Sequence, residues 1–413
     1  MENNYNKTRF ACNISYIVQS IAVNIAPLFF VIFKEDYNLS LSDLSFLVLF
    51  IFIIQLTMDL FSIKIIEKLG FRYTAILANL TAFIGLVLLA VLPQIISPVA
   101  GIFIASLFYS AGAGIIEVVI NPIIEALPND NIGASLSIMH SFYSWGQVSI
   151  VLISTIILYF VTNRYWYIIP LFWTIIPLFN VIMFTRVPIV EARKDKISRN
   201  TVELLKTPLF ILLMLIMMCG GATEMIVAQW ASFFAEKGLG ITKVIGDLIG
   251  PCMFALMMGI GRLFYGLFAD RISIKKALMI CSFSGVLAYT GIALIPNPAL
   301  VMICFALAGI ASSILWPGTL SLSASTLPRG GTAMFALLAF AGDLGCSVGP
   351  WVNGFVSDIV TNNEKLQFIR ILGFDSEQAS LREGFIVSAL FPLIMFVLLL
   401  IIGGFFSKDK GAD

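Results

Sequence analysis

Long apolar runs separated by short polar segments occupy most of this chain. About 20 consecutive apolar residues form a helix long enough to cross the hydrocarbon core of a bilayer. Twelve runs reach that length, and they are predicted at 10–33, 44–66, 73–93, 98–126, 133–161, 165–185, 208–235, 244–268, 276–295, 298–326, 332–360 and 383–406. The pattern therefore predicts an all-α membrane protein with twelve transmembrane helices.

The most charged internal segment, RVPIVEARKDKISRNTVELLK (186–206), divides these spans into two sets of six. We predict an N-terminal six-helix bundle at 1–190, a cytoplasmic linker at 191–206 and a C-terminal six-helix bundle at 207–413. Basic residues in the loops set the orientation, because cytoplasmic loops carry an excess of Lys and Arg. With the N-terminus inside, the inner segments hold more than twice as many Lys and Arg residues as the outer ones. Both termini are therefore expected in the cytoplasm, with the chain in the cell inner membrane.

The two halves also parallel each other in sequence. Residues 29–47 correspond to residues 232–250 at an offset of roughly 200, and on that register Asn24 in span 1 matches Glu224 in span 7. Six spans repeated in parallel are the architecture of one large class of transporters. Their site lies near the bilayer midplane at the interface of the repeats.

Composition excludes several classes of protein. Hydrophobic residues make up 59% of the chain and charged residues 12%, and the net charge is +1, so a lipid bilayer is the expected surrounding and nucleic acid is not an expected partner. One histidine and six scattered cysteines without a CxxC pair argue against a metal site. No P-loop sequence occurs, which argues against an ATP-driven pump. We expect no enzymatic activity, no cofactor and no metal ion.

Ionisable residues inside the predicted spans are the first candidates for function. Such a group costs ~2.5–3.5 kcal/mol at the bilayer centre, so its presence there indicates a functional site. In IIEVVINPIIEALP (115–128), Glu117 and Asn121 are four residues apart and share one helix face. His140 in span 5 is expected within reach of Glu117, where the two would form a proton relay. For each of these residues the alternative is a structural hydrogen bond between helices.

Two loops carry related motifs. Residues 63–72 (IKIIEKLGFR) and 266–276 (GLFADRISIKK) resemble the loop signature of the major facilitator superfamily, G-x-x-x-D-[RK]-x-G-x-[RK]. The residues that fit are Lys68, Gly70 and Arg72 in the first copy and Gly266, Asp270, Arg271 and Lys275 in the second. Ile63 and Glu67 depart from the signature in the first copy. The resemblance implies a major facilitator fold of two pseudo-symmetric six-helix bundles, with a latch at the inner gate formed by these loops.

Spans 4 and 5 carry a more specific likeness. The stretch from Glu117 to Pro122 resembles the fourth span of the bacterial L-fucose:proton symporter (fucose permease-like) family, and HSFYSWGQ (140–147) resembles its fifth. In that family the glutamate lies in the sugar cavity and takes part in proton coupling, which implies these roles for Glu117. The family's first span carries a coupling aspartate, whereas this first span has only Gln19 and Asn24. We interpret Glu224 as a replacement for that missing acid, and the alternative is a hydrogen bond between helices that stabilises their packing.

The candidate site residues fall into three sets. Proton coupling is assigned to Glu117, Glu224 and His140. Substrate binding is assigned to Gln19, Asn24, Glu117, Asn121, Gln147, Glu224, Gln229, Trp230 and Trp316. Gating or structural roles are assigned to Glu67, Lys68, Arg72, Asp270, Arg271, Arg262 and Asp343. Arg262 is expected to pair with Asp343, and Asp59 is its competing partner.

These residues predict a secondary active transporter that moves a small neutral polyhydroxy solute by proton-coupled symport, and the resemblance implies a monosaccharide such as fucose or another hexose. Amide and carboxylate groups suit hydroxyl groups, and the predicted cavity contains no basic residue to hold an anion. The superfamily resemblance implies alternating access to a cavity lined by spans 1, 4, 7 and 10. A monomer is expected. A proton-coupled multidrug or amphiphile exporter, a sodium-coupled sugar symporter and a non-transporting membrane sensor are the alternatives.

Overall fold

The computed structural model describes residues 5–37, 41–128, 131–161, 165–190, 201–242, 245–246, 248–327, 330–361, 363 and 366–409. Every regular element within these residues is a helix, as the long apolar runs predict. The chain forms two compact units. The first comprises residues 1–199 with 329–340, and the second comprises residues 200–328 with 341–413. Residues 191–200 of the predicted linker lie outside the described part of the chain, and the predicted domain boundaries stay a prediction.

The first seven helices belong to the first unit. They are α1 (Asn6–Asn24), α2 (Phe30–Tyr37), α3 (Leu41–Ile95), α4 (Pro98–Ala126), α5 (Ile132–Val161), α6 (Ile168–Trp173) and α7 (Ile175–Arg186). A short 3₁₀ turn at Pro27–Phe29 joins α1 to α2. The core of this unit contains a buried aromatic group in which Trp166 contacts Phe29 and Phe33.

The remaining helices begin with α8 (Thr201–Leu205), α9 (Pro208–Phe233), α10 (Met253–Phe268), α11 (Ile274–Leu294) and α12 (Pro298–Ser312). They continue with α13 (Leu315–Thr326), α14 (Gly331–Thr361), α15 (Ser376–Ser388) and α16 (Leu390–Asp409). Helix α14 is shared, because its residues up to Phe340 group with the first unit and the rest with the second. The core of the second unit is built around Phe234, Phe305 and Phe385, whose rings meet edge to face.

Helix α3 is a hairpin of two spans. Its apolar part, Phe46–Ile95, is 50 residues long, which would make a straight helix of ~75 Å, more than twice the thickness of the hydrocarbon core. Gly70 interrupts it with φ 74° and ψ 169°, a backbone conformation that is essentially restricted to glycine. Both limbs lie against α4, because an added Cβ at Gly112 would lie 2.7 Å from the carbonyl oxygen of Ala78, and one at Gly114 would lie 3.0 Å from that of Gln55.

The described residues contain eleven helical stretches that are long and apolar enough to span a membrane. Division of α3 at Gly70 raises that number to the twelve spans predicted from the apolar runs. The prediction of an all-α, multi-pass membrane protein with twelve spans is therefore confirmed.

Candidate functional site

Five buried polar side chains come together inside the first unit. Helix α1 provides Tyr16 and Gln19, α4 provides Glu117 and Asn121, and α5 provides His140, and each is at most 5% exposed. We call this group the Glu117 cluster. Polar groups buried to this degree are costly unless they bond one another. The cluster is therefore held by specific contacts between three helices.

The carboxylate of Glu117 is bonded from α1. Gln19 Nε2 donates to Glu117 Oε2 at 2.6 Å. The other polar atom of that amide, Gln19 Oε1, is buried and accepts no hydrogen bond from the described residues. A buried acceptor without a donor costs about 1–3 kcal/mol. Gln19 Oε1 thus keeps lone pairs that no described residue bonds.

Asn121 links the carboxylate side of the cluster to the histidine. Its Nδ2 donates to the backbone carbonyl of Glu117, one helical turn earlier, at 2.6 Å. Its Oδ1 accepts from Tyr16 Oη at 3.1 Å and lies 3.2 Å from His140 Nε2. Tyr16 Oη is also 3.2 Å from His140 Nε2, and the two rings lie 4.4 Å apart between centroids. The structure therefore joins Gln19, Glu117, Asn121 and His140 in one hydrogen-bonded cluster, in which His140 is linked to Glu117 through Asn121.

A buried ion pair occupies the second unit. Arg262 Nη2 on α10 lies 2.8 Å from Glu224 Oε2 on α9, and their side chains are 2% and 11% exposed. The pairing bears on two expectations. Glu224 was not among the predicted partners of Arg262. Of the predicted partner Asp343, the atom Oδ2 is buried and receives no hydrogen bond from the described residues. The second expectation was that the predicted cavity contains no basic residue. Arg262 lies beside the candidate site residue Glu224, although the ion pair carries no net charge.

The same guanidinium stabilises the break between α12 and α13. Arg262 Nε donates to the backbone carbonyl of Ser313 at 2.9 Å. In a continuous helix that carbonyl would bond the N–H of residue 317, but residue 317 is a proline and has no N–H. Arg262 replaces the missing donor. Arg262 therefore bonds both the carboxylate of α9 and a backbone atom that Pro317 leaves without its helical partner.

The other predicted substrate-binding residues are not gathered into these clusters by any described contact. Asn24 donates to the carbonyl of Ser20 in its own helix, and Gln147 is buried in α5. Trp230 donates through Nε1 to the carbonyl of Pro350 at 3.1 Å, which is a helix-packing contact. Trp316 is buried against Gly342, where an added Cβ would overlap its ring.

Gln229 is exposed whereas Glu224 is buried. The two side chains therefore point to different sides of α9, because five residues correspond to 140° around a helix.

The predicted gating residues differ in their surroundings. Glu67, Lys68, Asp270 and Arg271 are exposed, next to Gly70 or in the 3₁₀ turn Ala269–Arg271. Arg72 is half-buried and donates to two carbonyls at the end of α7, those of Phe184 at 2.7 Å and Val187 at 2.8 Å. Carbonyls at a helix C-terminus lack intrahelical donors, and a cation there also opposes the helix dipole. Arg72 therefore ties the second limb of α3 to α7.

The family of the chain follows from its whole sequence. The family model described as Major Facilitator Superfamily matches residues 12–350, with a second match at residues 252–410. The chain belongs to the major facilitator superfamily. Members of this superfamily are transporters, so the chain is a membrane transporter and not an enzyme. Among curated protein sequences, none matches this chain.

Several solved major facilitator structures share the fold. The fucose:proton symporter FucP of E. coli aligns with a TM-score of 0.75 at 16% identity, over 97% of this chain and 99% of that one. The proton:xylose symporter XylE, bound to 6-bromo-6-deoxy-D-glucose, aligns with a TM-score of 0.75 at 14% identity, over 95% and 94%. A bacterial homologue of the human lysosomal transporter Spinster aligns with a TM-score of 0.66 at 13% identity, over 99% of each chain. At these identities the likeness concerns the fold.

Sequence reasoning missed two members of these clusters. Tyr16 precedes Gln19 by three residues on α1, so the i, i+3 spacing was the available signal that both lie on one helix face. The carbonyl of Ser313 was signalled only by the proline four residues later. Neither feature reveals which side chain of another helix will supply the hydrogen bond.

Arg72→Ala is expected to lower the stability of this major facilitator protein. The change removes two charge-assisted hydrogen bonds from a half-buried guanidinium, so we expect a loss of roughly 1–3 kcal/mol. Thermal unfolding of the purified protein in detergent measures the change. Lys68→Ala, four residues earlier and exposed, is the control, with an expected change within about 0.5 kcal/mol. Equal Tm values for the two variants would mean that the contacts of Arg72 with α7 contribute nothing.

Proposed function

We propose that the chain is a proton-coupled symporter that moves a small neutral polyhydroxy solute, a monosaccharide, across the cell inner membrane by alternating access. The observation that carries the proposal is the bond between Gln19 Nε2 and Glu117 Oε2, beside a buried Gln19 Oε1 to which no described residue donates. The Gln19 amide thus contacts a titratable acid through its NH₂ group and carries an acceptor, Oε1, on its other side. The fold shared with FucP and XylE, described as fucose:proton and proton:xylose symporters, also supports the proposal of sugar:proton symport.

Glu117 is the proton site in this proposal. An ionised carboxylate in a closed, water-poor cavity carries a large desolvation cost, whereas the neutral acid does not. Proton binding to Glu117 therefore permits the loaded protein to close, and proton release on the other side favours opening there. Glu224 is less suited to this role, because Arg262 at 2.8 Å already compensates its charge. In the Glu224–Arg262 pair the two charges cancel, and the pair instead offers hydrogen-bond donors and acceptors that suit hydroxyl groups.

The Gln19 amide gives a physical link between proton and substrate. When Glu117 Oε2 is ionised, the NH₂ group of Gln19 faces it and Oε1 accepts from a substrate hydroxyl. When Oε2 carries the proton it becomes a donor, and Gln19 keeps the bond only if its amide turns and presents Oε1 to the carboxyl group. The NH₂ group then faces the substrate. Protonation thereby changes the group that Gln19 offers to a hydroxyl from an acceptor to a donor.

The organisation of the whole protein is part of the proposal. The two six-helix halves expose the site alternately to each side, both termini lie in the cytoplasm and the protein acts as a monomer. Arg72 and the exposed charges of the two signature loops act at the inner gate. His140 and Asn121 support the proton site through the hydrogen bonds of the Glu117 cluster.

The test is uptake of labelled L-fucose, D-xylose, D-glucose and D-galactose into proteoliposomes that contain the purified protein. Uptake is measured with an inward proton gradient, with an inward sodium gradient and with neither, and protein-free liposomes are the control. We expect one of these sugars to accumulate only under the proton gradient. Accumulation driven by sodium alone would contradict the proton as the coupling ion and would leave the proposed substrate class unchanged. No accumulation of any sugar would overturn the substrate class, and proton-driven efflux of cationic amphiphiles would then favour an exporter.

A further inference from the structure

Three polar atoms of the Glu117 cluster form a nearly equilateral triangle. They are Tyr16 Oη on α1, Asn121 Oδ1 on α4 and His140 Nε2 on α5, and their separations are 3.1, 3.2 and 3.2 Å. All three side chains are at most 3% exposed. At these distances the contact between two of these atoms is favourable only if a hydrogen lies between them or if both atoms donate to the third. The triangle therefore restricts where the hydrogens can be.

The orientation of the Asn121 amide is fixed first. Its other polar atom lies 2.6 Å from the backbone carbonyl oxygen of Glu117. A carbonyl oxygen accepts hydrogen bonds and cannot donate, so the atom that faces it must be the NH₂ group. The oxygen Oδ1 is consequently the atom that points into the triangle, where it can accept but not donate.

The amide oxygen then decides the protonation of the imidazole. A neutral imidazole carries one N–H and one bare nitrogen. If Nε2 were bare, two lone pairs would face each other across 3.2 Å between Nε2 and Asn121 Oδ1. The contact is favourable only if Nε2 carries the proton and donates it to Oδ1. Oδ1 has a second lone pair, which accepts the hydroxyl proton of Tyr16.

We infer that Asn121 is a positioning residue that holds neutral His140 with its proton on Nε2, so that any second proton enters at Nδ1. Tyr16 is the competitor in this arrangement, because its hydroxyl group could donate to a bare Nε2 and would then favour the opposite tautomer. The amide oxygen of Asn121 prevents this by accepting from both groups. The inference deepens the proposed function. The tautomer follows from the hydrogen bonds alone, and only the use of a proton at Nδ1 in transport rests on the proposed function.

The chain itself provides a sharp test, because His140 is its one histidine. The full-length protein is produced with [¹⁵N]histidine and a tag free of histidine, and long-range ¹H–¹⁵N correlations are recorded in detergent at a pH where the imidazole is neutral. We expect a pyrrole-type Nε2 and a pyridine-type Nδ1. A wild-type spectrum dominated by the Nδ1–H tautomer would overturn the inference whatever the variants do.

Two variants separate the roles of the amide and the hydroxyl. Asn121→Leu removes Oδ1 and leaves the Tyr16 hydroxyl to donate to Nε2, so the major tautomer is expected to change to Nδ1–H. Tyr16→Phe keeps Oδ1 and is expected to retain the wild-type tautomer. An unchanged tautomer in folded Asn121→Leu would contradict the role of Asn121. The readout does not depend on transport, so a failure of sugar uptake would overturn the proposed function and leave this result unaffected.

Discussion

Glu117→Gln is expected to reduce gradient-driven sugar uptake to the level of protein-free liposomes while sugar exchange across the membrane survives. Gln has nearly the shape of the protonated acid and can still bond the Gln19 amide, so the cluster keeps its packing. It cannot release a proton, so the variant resembles the permanently loaded carrier. Uptake under an inward proton gradient and counterflow of labelled against unlabelled sugar, in the same proteoliposomes, measure the two activities.

The same helix offers a matched control for this variant. Glu125 is eight residues later on α4 and only half-buried, so Glu125→Gln is expected to retain both activities. Full gradient-driven uptake by Glu117→Gln would show that the coupling proton binds elsewhere. Loss of exchange together with uptake would assign Glu117 to substrate binding or to folding.

Arg262→Met is expected to destabilise the protein by about 3–5 kcal/mol, because removal of one partner leaves the buried carboxylate of Glu224 without its counter-ion. The carbonyl of Ser313 loses its donor in the same variant. Replacement of both charges in Arg262→Met/Glu224→Leu is expected to recover most of the loss, because a well-packed apolar pair often matches a buried ion pair in stability. Thermal unfolding in detergent, compared at equal protein concentration, measures all variants.

Arg271→Met is the control for the ion pair, because Arg271 is exposed nine residues later, and its effect is expected within about 0.5 kcal/mol. A double variant as unstable as Arg262→Met would attribute the loss to the Ser313 carbonyl or to packing, and not to an unpaired carboxylate.

The transmembrane helices could be predicted because each of them is specified by its own stretch of sequence. An apolar run of about 20 residues specifies a membrane helix whatever surrounds it. The glycine of the first signature loop marked the point where α3 turns back. Glu117 and Asn121 could be placed on one face because four residues return to nearly the same direction around a helix.

The partners across helices could not be predicted in the same way. Asp343 and Asp59 were the predicted partners of Arg262, since all three are charged residues in predicted spans, and its ion pair with Glu224 was not foreseen. Which charges meet depends on the rotation and tilt of each helix, and packing against neighbouring helices sets these angles. Tyr16 was overlooked for the same reason, because a tyrosine in an apolar run is recognised as a hydrogen-bond partner only once its neighbours are known.

The turn at Gly70 also bears on how the protein enters the membrane during synthesis. The two limbs of α3 remain helical almost to the glycine itself, so the turn is too short for the first limb to settle in the bilayer far ahead of the second. Lys64, Lys68 and Arg72 lie around the turn, which is predicted on the cytoplasmic side, and basic residues favour retention there. The two limbs should therefore leave the translocon as one hairpin, with the second limb inserting before the first has separated from it.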